Sequence, residues 1–508
     1  RYASWWATLH RVAAVAPGVE DLMHTMLAPW PLAVVAVVSA VACSSALPSS
    51  GGGQGEPRPA GGFAPADVAL PQGYGLELVA EGLTFPTAVA FDDAGGVFVL
   101  EAGYSYGEVY TTPRLLRLEG GRGSTVLEGE NPPWTGVTFR QGRFYITEGG
   151  KAKGGRVVEW EGGRLRRVLL QGLPSYGDHH TNDAVLGPDG ALYVGQGTPT
   201  NSGVVGPDNA EFGWLAQHPS LHDVPCRDVT LAGVNYDSED PRSGAPVSTG
   251  AYVPYGTPTA PGQIVPGVFP CSGAVYRLPL AEGDGAPELY AWGFRNPYGL
   301  AFDGEGHLLV TENGADDRGS RPVWGSGDYL WRVERGAWHG WPDYAGGRPL
   351  TGEQFGPPGG EPPRRLLRDD PGPVPQPLAY FGVHSSSNGV DVARGDAFGY
   401  RGQAFVAQFG DMAPQVGKVI SPVGFKVVRV DLARGTVADF AANVGRSNGP
   451  ASLLGTTGLE RPVSVRFSPA GDALYIVDFG IVSMTDEGPR PQAGTGRVLR
   501  VLRTGGAS

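Results

Sequence analysis

The side chains best able to do chemistry stand at the ends of short apolar segments. Asp178, His179 and His180 precede one segment, Arg295 and Asn296 another, and His384 with Asn388 a third; Asn131 with Trp134, and Arg461, precede two more. Glu101, Glu148, Gln196, Glu312, Gln408 and Asp478 each close a second apolar segment. If the two segments of a pair run antiparallel, the residues before the first and after the second share one face. One rim then collects imidazoles, guanidiniums, amides and carboxylates. Carboxylates there can bind turn N–H groups, the role expected of Glu101, Glu148 and Asp478. His179 and His180 suit polar turns or, with His384, a transition-metal site. Arg461 suits a surface ion pair. His218 and His222 are four residues apart, but Pro219 and Pro225 oppose a metal-binding helix.

A sixfold repeat positions these residues. An apolar segment, a turn rich in Gly, Asp or Pro, a second apolar segment ending in an acid or amide, and then Gly recur from Pro86, Trp134, Thr181, Asn296, Asn388 and Pro462. A third, alternating segment follows each copy, from Pro113, Gly155, Gly273, Asp328, Lys426 and Gly496, and fourth segments follow in most. The pattern predicts an all-β fold, a six-bladed β-propeller of four-stranded antiparallel blades over residues 70–503. The last repeat lacks a fourth strand, and Leu76–Leu83 has the missing pattern. That segment is expected to complete blade six, close the ring and cover an otherwise exposed edge. Extra length falls in insertions 198–272 and 337–375, with shorter loops near 411–425 and 447–459. Long loops on a rigid ring are usually functional, and these are expected to roof the axial pocket.

The 81 Gly and 46 Pro, with 18% charged residues, favour many short strands and tight turns. A net charge of -12 without a basic stripe excludes nucleic acid as a partner. Leu27–Ala42 is mostly apolar, short for a membrane span and the right size for a signal-peptide core. It runs into Ala40-Val41-Ala42-Cys43 and then a Ser-, Gly- and Pro-rich stretch, which resembles a bacterial lipoprotein cleavage site and tether. Residues 1–42 are therefore expected to be an export segment, Cys43 a lipidation site, 43–69 a flexible linker and 504–508 a tail. The ring is expected to be periplasmic or at the cell surface, meeting a membrane only through its N-terminal anchor. Export makes Cys226 and Cys271 a candidate disulfide.

Two stretches resemble the soluble glucose/sorbosone dehydrogenase family: Asp178-His179-His180-Thr181-Asn182-Asp183-Ala184, and Gly293-Phe294-Arg295-Asn296-Pro297-Tyr298-Gly299. Gly340-Trp341-Pro342 adds to the likeness, which spans essentially the whole ring. The resemblance implies a six-bladed quinoprotein that oxidises sugars with pyrroloquinoline quinone and calcium. It implies that His179 is the catalytic base, with Asp178 orienting or polarising the imidazole. It implies that Arg295, Asn296 and Arg461 contact the cofactor, and that Asn131 stands where the family carries a cofactor-binding Gln. Gly314 and Ala315 fall where two backbone carbonyls hold the calcium ion. The family's Lys falls near Gly410 and its second arginine near Leu459. Carboxylates of the cofactor suit the planar fork of arginine, and calcium suits oxygen ligands.

The function so implied is oxidation of an aldose or related sugar aldehyde or hemiacetal, with hydride transfer to the quinone. No Cys-x-x-Cys-His haem signature occurs, so electrons are expected to leave to an external acceptor. Two other classes stand beside this reading. One is a non-catalytic propeller that binds a glycan or a protein through its loops. The other is a metal-dependent lactone hydrolase using Glu101, Glu312 or Asp478 as ligands.

Overall fold

The computed structural model describes residues 49–58, 62–281, 283, 285–445 and 447–505. Cys43 and the export segment lie outside the described residues. Six antiparallel sheets, five of four strands and one of five, follow one another along the chain. Their inner strands are Pro86–Phe91, Trp134–Arg140, Thr181–Leu186, Pro297–Phe302, Ser387–Val392 and Pro462–Phe467. Each packs against the inner strands of both neighbouring blades, the first against the sixth included. Inner and second strands are almost wholly buried because blades cover them on both faces, whereas the outer strand Arg122–Glu128 is largely exposed. The core is thus a series of inter-blade layers, as where Phe98 and Leu100 of blade one meet Trp134 and Ile146 of blade two.

Tyr74–Leu83 pairs antiparallel with Gly496–Arg503 and supplies the outer strand of blade six. The ring closes as expected, the strand starting at Tyr74 rather than Leu76. Near its start every inner strand carries one residue more than its partner, a bulge that re-aims the chain at the rim. Gly299 sits at one of these bulges, and a Cβ there would come 2.4 Å from the Asn388 carbonyl oxygen. Only glycine lets the two blades approach so closely.

Two expectations need correction. Part of the stretch read as a flexible linker is built into the ring. Val68–Ala69 adds a fifth strand to blade five, paired with Ala442–Asn443. Gly52 donates its N–H to the Asp411 carboxylate at 3.1 Å, and the Gly53 carbonyl accepts the Met484 N–H at 2.7 Å. A glycine-rich composition reads as flexible, yet here small size serves contact: a Cβ on Gly52 would lie 2.3 Å from the Phe425 ring.

The insertions also divide their roles. Residues 198–272 leave blade three between Leu192–Gln196 and Ala274–Leu278 and carry two short helices, Pro207–Glu211 and Trp214–Gln217. Cys226 and Cys271 are disulfide-bonded across this insertion, with 5.0 Å between their Cα atoms. Residues 337–375 do not roof the pocket. They brace the first insertion, with Leu231 bridged to Leu367 and with Trp292, Trp338 and Leu366 sharing one buried cluster. For cysteines 45 residues apart, chain entropy predicts that replacing both with alanine costs about 4 kcal/mol. Calorimetry should show a lower midpoint; an unchanged one would mean that packing alone holds the insertion.

Candidate active site

A cavity of about 570 Å³ lies on the ring axis, touched by the inner strands of all six blades through Thr87, Thr135, Asn182, Tyr298, Asn388 and Val463. Asp178, His179, Arg295, Asn296 and Gly314 line it, whereas Asn131, Ala315 and Arg461 do not. His384 lines it too, from the approach to blade five.

His179 is buried, and its Nδ1 is 2.7 Å from the Thr198 carbonyl. A carbonyl only accepts, so Nδ1 carries the proton and Nε2 is the basic nitrogen. Burial, reinforced by the charge of Arg295, depresses the imidazole pKa to about 4 and keeps the ring neutral. The Thr198 carbonyl thus fixes the ring through Nδ1. The Asp178 carboxylate instead lies 3.7 Å from Nε2. Burial opposes its charge, but Arg318, His179 and Arg295 together hold its pKa below the usual carboxylate range.

Arg295 is fixed from two sides. Its backbone N–H donates to Glu312 at 2.6 Å, while its guanidinium donates to the Asn201 carbonyl and side-chain oxygens, both at 2.8 Å, and to Asp316 at 3.2 Å. Asn296 belongs to a run of amides that crosses three blades. It accepts from Asn182 at 2.7 Å and donates to Asn313 at 2.8 Å, and Asn313 donates to Asn388 at 3.3 Å. His384 Nδ1 lies 3.2 Å from Asp316, a contact that outweighs burial and raises the imidazole pKa. The imidazoles of His179, His180 and His384 therefore do not form a shared metal site. Among the described residues, the only group of three or more carboxylate or imidazole side chains close enough together to share an ion is Asp303, Glu305 and His307, on a blade-four turn and not among the cavity-lining residues.

Two residues expected to meet a cofactor face elsewhere. Asn131, at a positive φ of 65°, turns back to donate to the Gly154 carbonyl at 3.1 Å and to Glu148 at 3.3 Å. Arg461 is fully buried one layer behind the cavity, between the rings of Phe409 and Phe425, with every donor nitrogen directed at backbone carbonyls. Ala315 packs its side chain among Val323, Leu350 and Phe355. The Gly314 and Ala315 carbonyls nevertheless accept no hydrogen bond among the described residues.

The strand-end carboxylates are occupied by the scaffold. Glu101 accepts from the Thr84 N–H at 2.7 Å and binds Arg114, while Asp478 accepts from the N–H groups of Glu460 and Arg461, both at 2.7 Å. Glu148 is paired with Arg156 rather than with a turn. Glu312 binds the Arg295 N–H and the Trp331 indole, and burial pushes its pKa up to about 7. With their oxygens so engaged, Glu101, Glu312 and Asp478 do not form the ligand set that a lactone hydrolase needs.

The sequence pattern did not single out Asp208, Asp316 or Arg318. The one signal was Asp316-Asp317-Arg318, a charged run in a weakly charged chain, just after the strand ending at Glu312.

The fold and pocket define a six-bladed propeller with an axial histidine–arginine site. Residues 277–416 match the family described as Glucose / Sorbosone dehydrogenase, a span that contains Arg295, Asn296, Gly314 and Ala315. The resemblance to the soluble glucose/sorbosone dehydrogenase family seen in the sequence therefore stands, and it supports an oxidoreductase. Solved structures share the architecture. The holo form of the pyranose dehydrogenase PQQ domain from Coprinopsis cinerea is 15% identical, with a TM-score of 0.53 over 88% of this chain and 98% of that one. The calcium structure of Trichoderma reesei Carbohydrate-Active Enzymes Family AA12 is 16% identical, with a TM-score of 0.51 over 87% and 98%. No curated protein matches the sequence.

Proposed function

We propose that the chain is a quinoprotein dehydrogenase that oxidises the hydroxyl on the hemiacetal carbon of an aldose or related sugar, with His179 as proton acceptor. One observation carries this reading. A neutral imidazole lines the axial cavity, its tautomer set by Thr198 and its basic Nε2 without a hydrogen bond among the described residues. A proton arriving at Nε2 creates an imidazolium 3.7 Å from the Asp178 carboxylate, which stabilises it.

The residues present fit pyrroloquinoline quinone and calcium. The cavity has room for a flat cofactor beside a pyranose, and Tyr106, Phe212, Phe409 and Phe479 give it aromatic walls. The uncommitted carbonyl of Gly314, at the cavity wall, suits calcium, and Arg295 is a guanidinium at that wall suited to a cofactor carboxylate. When bound, the quinone supplies a hydride acceptor and calcium a Lewis acid beside it. Arg295 and Asn296 would orient the pair, and the first insertion, through Phe212 and Trp214, would exclude water. Electrons would leave to an external acceptor, and the ring would work outside the cytoplasm on its N-terminal anchor.

The test is reconstitution with pyrroloquinoline quinone and calcium, followed by dye-reduction assays over a sugar panel. Turnover of at least one aldose is expected. No turnover and no calorimetric cofactor binding would return the chain to a binding propeller.

A further inference from the structure

Arg318 lies on the blade-four loop and reaches three carboxylates from three parts of the chain. Its Nη2 is 2.6 Å from Asp178 and its Nη1 2.5 Å from Asp208; its Nε and Nη2 are 3.2 and 3.1 Å from Asp316. The guanidinium also lies over the Phe212 ring, 5.4 Å from its centre. Asp178 stands beside His179, Asp208 and Phe212 belong to the first insertion, and Asp316 braces Arg295.

We propose that Arg318 is a positioning residue that keys the 198–272 insertion onto the pocket rim and holds the Asp178 carboxylate in place beside His179 Nε2. Its catalytic consequence rests on the reading of His179 as a base. A planar fork satisfies three carboxylates at fixed angles, and lysine cannot reproduce it. The charged and titratable groups facing His179 are Asp178, Arg295, Arg318 and His180. Burial and the two arginines favour the neutral imidazole, and Asp178 alone among the charged groups favours protonation. Without Arg318, Asp178 loses its nearest cation and turns to Nε2 instead. The base is then protonated at a pH where it should be free.

Histidine-selective labelling of the full chain, with His179→Gln to assign the signal, allows the ring to be titrated by NMR in the wild type, Arg318→Met, Arg318→Lys and Asp208→Asn. Arg318→Met is expected to raise the His179 midpoint by about one pH unit or more, and the acid limb of kcat/KM should move with it. Arg318→Lys keeps the charge and should move the midpoint less. Both arginine variants and Asp208→Asn should speed limited proteolysis within 198–272 by about tenfold, a local opening near 1.4 kcal/mol. Asp208→Asn should leave the midpoint in place, because it cuts only the link to the insertion. A purely structural arginine would lower stability without moving the midpoint.

An unmoved midpoint in folded Arg318→Met would overturn the proposal, as would unchanged proteolysis in all three variants. If Arg318→Met does not fold, the midpoint of Arg318→Lys and the proteolysis of Asp208→Asn decide in its place. Both readouts are independent of turnover, so a protein that oxidises no sugar refutes the dehydrogenase reading and leaves this inference to be judged separately.

Discussion

His179→Ala is expected to lower kcat by about 10²- to 10⁴-fold, the usual worth of a positioned general base, while KM for the sugar stays within a few-fold. The imidazole makes its short hydrogen bond to a backbone carbonyl and, being neutral, adds no full charge to the Asp178–Arg318 network beside it, so its loss should not unfold the ring. The pH dependence follows from its environment. Folding depresses the pKa from 6.5 to about 4, chiefly by burial. As pH falls from 6.5 toward 4 the unfolded chain takes up a proton that the folded chain refuses, and stability drops by an amount on the order of 3 kcal/mol. The alanine variant lacks that term, so its stability relative to wild type should improve toward pH 4. Wild-type kcat/KM should hold its plateau well below pH 6 and fall only near the depressed value. A rate loss under tenfold, or a plateau ending near pH 6.5, would remove His179 as the base.

The architecture was legible because a propeller repeats its signal six times. In register, Glu101, Glu148, Gln196, Glu312, Gln408 and Asp478 stand opposite Pro86, Trp134, Thr181, Pro297, Ser387 and Pro462, so the antiparallel rule located the rim correctly in all six blades. Ring closure was legible for the same reason: the strand beginning at Tyr74 has the alternation that blade six lacks. Register places a backbone, however, and does not say where a side chain goes from there. Asn131 reaches the rim in a left-handed conformation and turns back toward Glu148, while His179 reaches it and stays in the cavity. No periodicity in the sequence separates the two.

Loops hid the rest. Arg318 meets Asp178 across 140 residues and has no strand pattern to give its side chain a direction. Gly51-Gly52-Gly53 has the composition of a linker, yet the same lack of side chains lets it lie against Asp411, Phe425 and Arg461. A short glycine run reads alike whether the chain wanders or is tightly packed, and only the surface it meets decides.

That surface bears on Arg461, where the sequence resemblance and the structure give opposite expectations. Arg461→Met is expected to destabilise the ring by about 3–5 kcal/mol and to leave cofactor affinity unchanged. Its Nε and Nη2 donate to the Val482 carbonyl at 3.2 and 3.1 Å, and its Nη1 is shared among the carbonyls of Phe409, Gly410 and Asp411 at 3.4, 3.3 and 3.0 Å. No carboxylate lies within ion-pair distance among the described residues, and burial lowers the guanidinium pKa to about 10. Asp411, Glu460 and Asp478 support its charge only at longer range. Methionine fills much of the volume but leaves four carbonyls in the blade-five and blade-six loops without a donor, each costing about 1–3 kcal/mol if no water replaces it. Arg295→Met removes a guanidinium that lines the cavity, and cofactor should bind at least about tenfold more weakly, a loss of 1.4 kcal/mol. Urea unfolding and calorimetric titration with pyrroloquinoline quinone and calcium separate the two arginines. Weakened binding with undiminished stability in Arg461→Met would mean that this side chain turns into the cavity when the cofactor arrives, as the sequence resemblance implies.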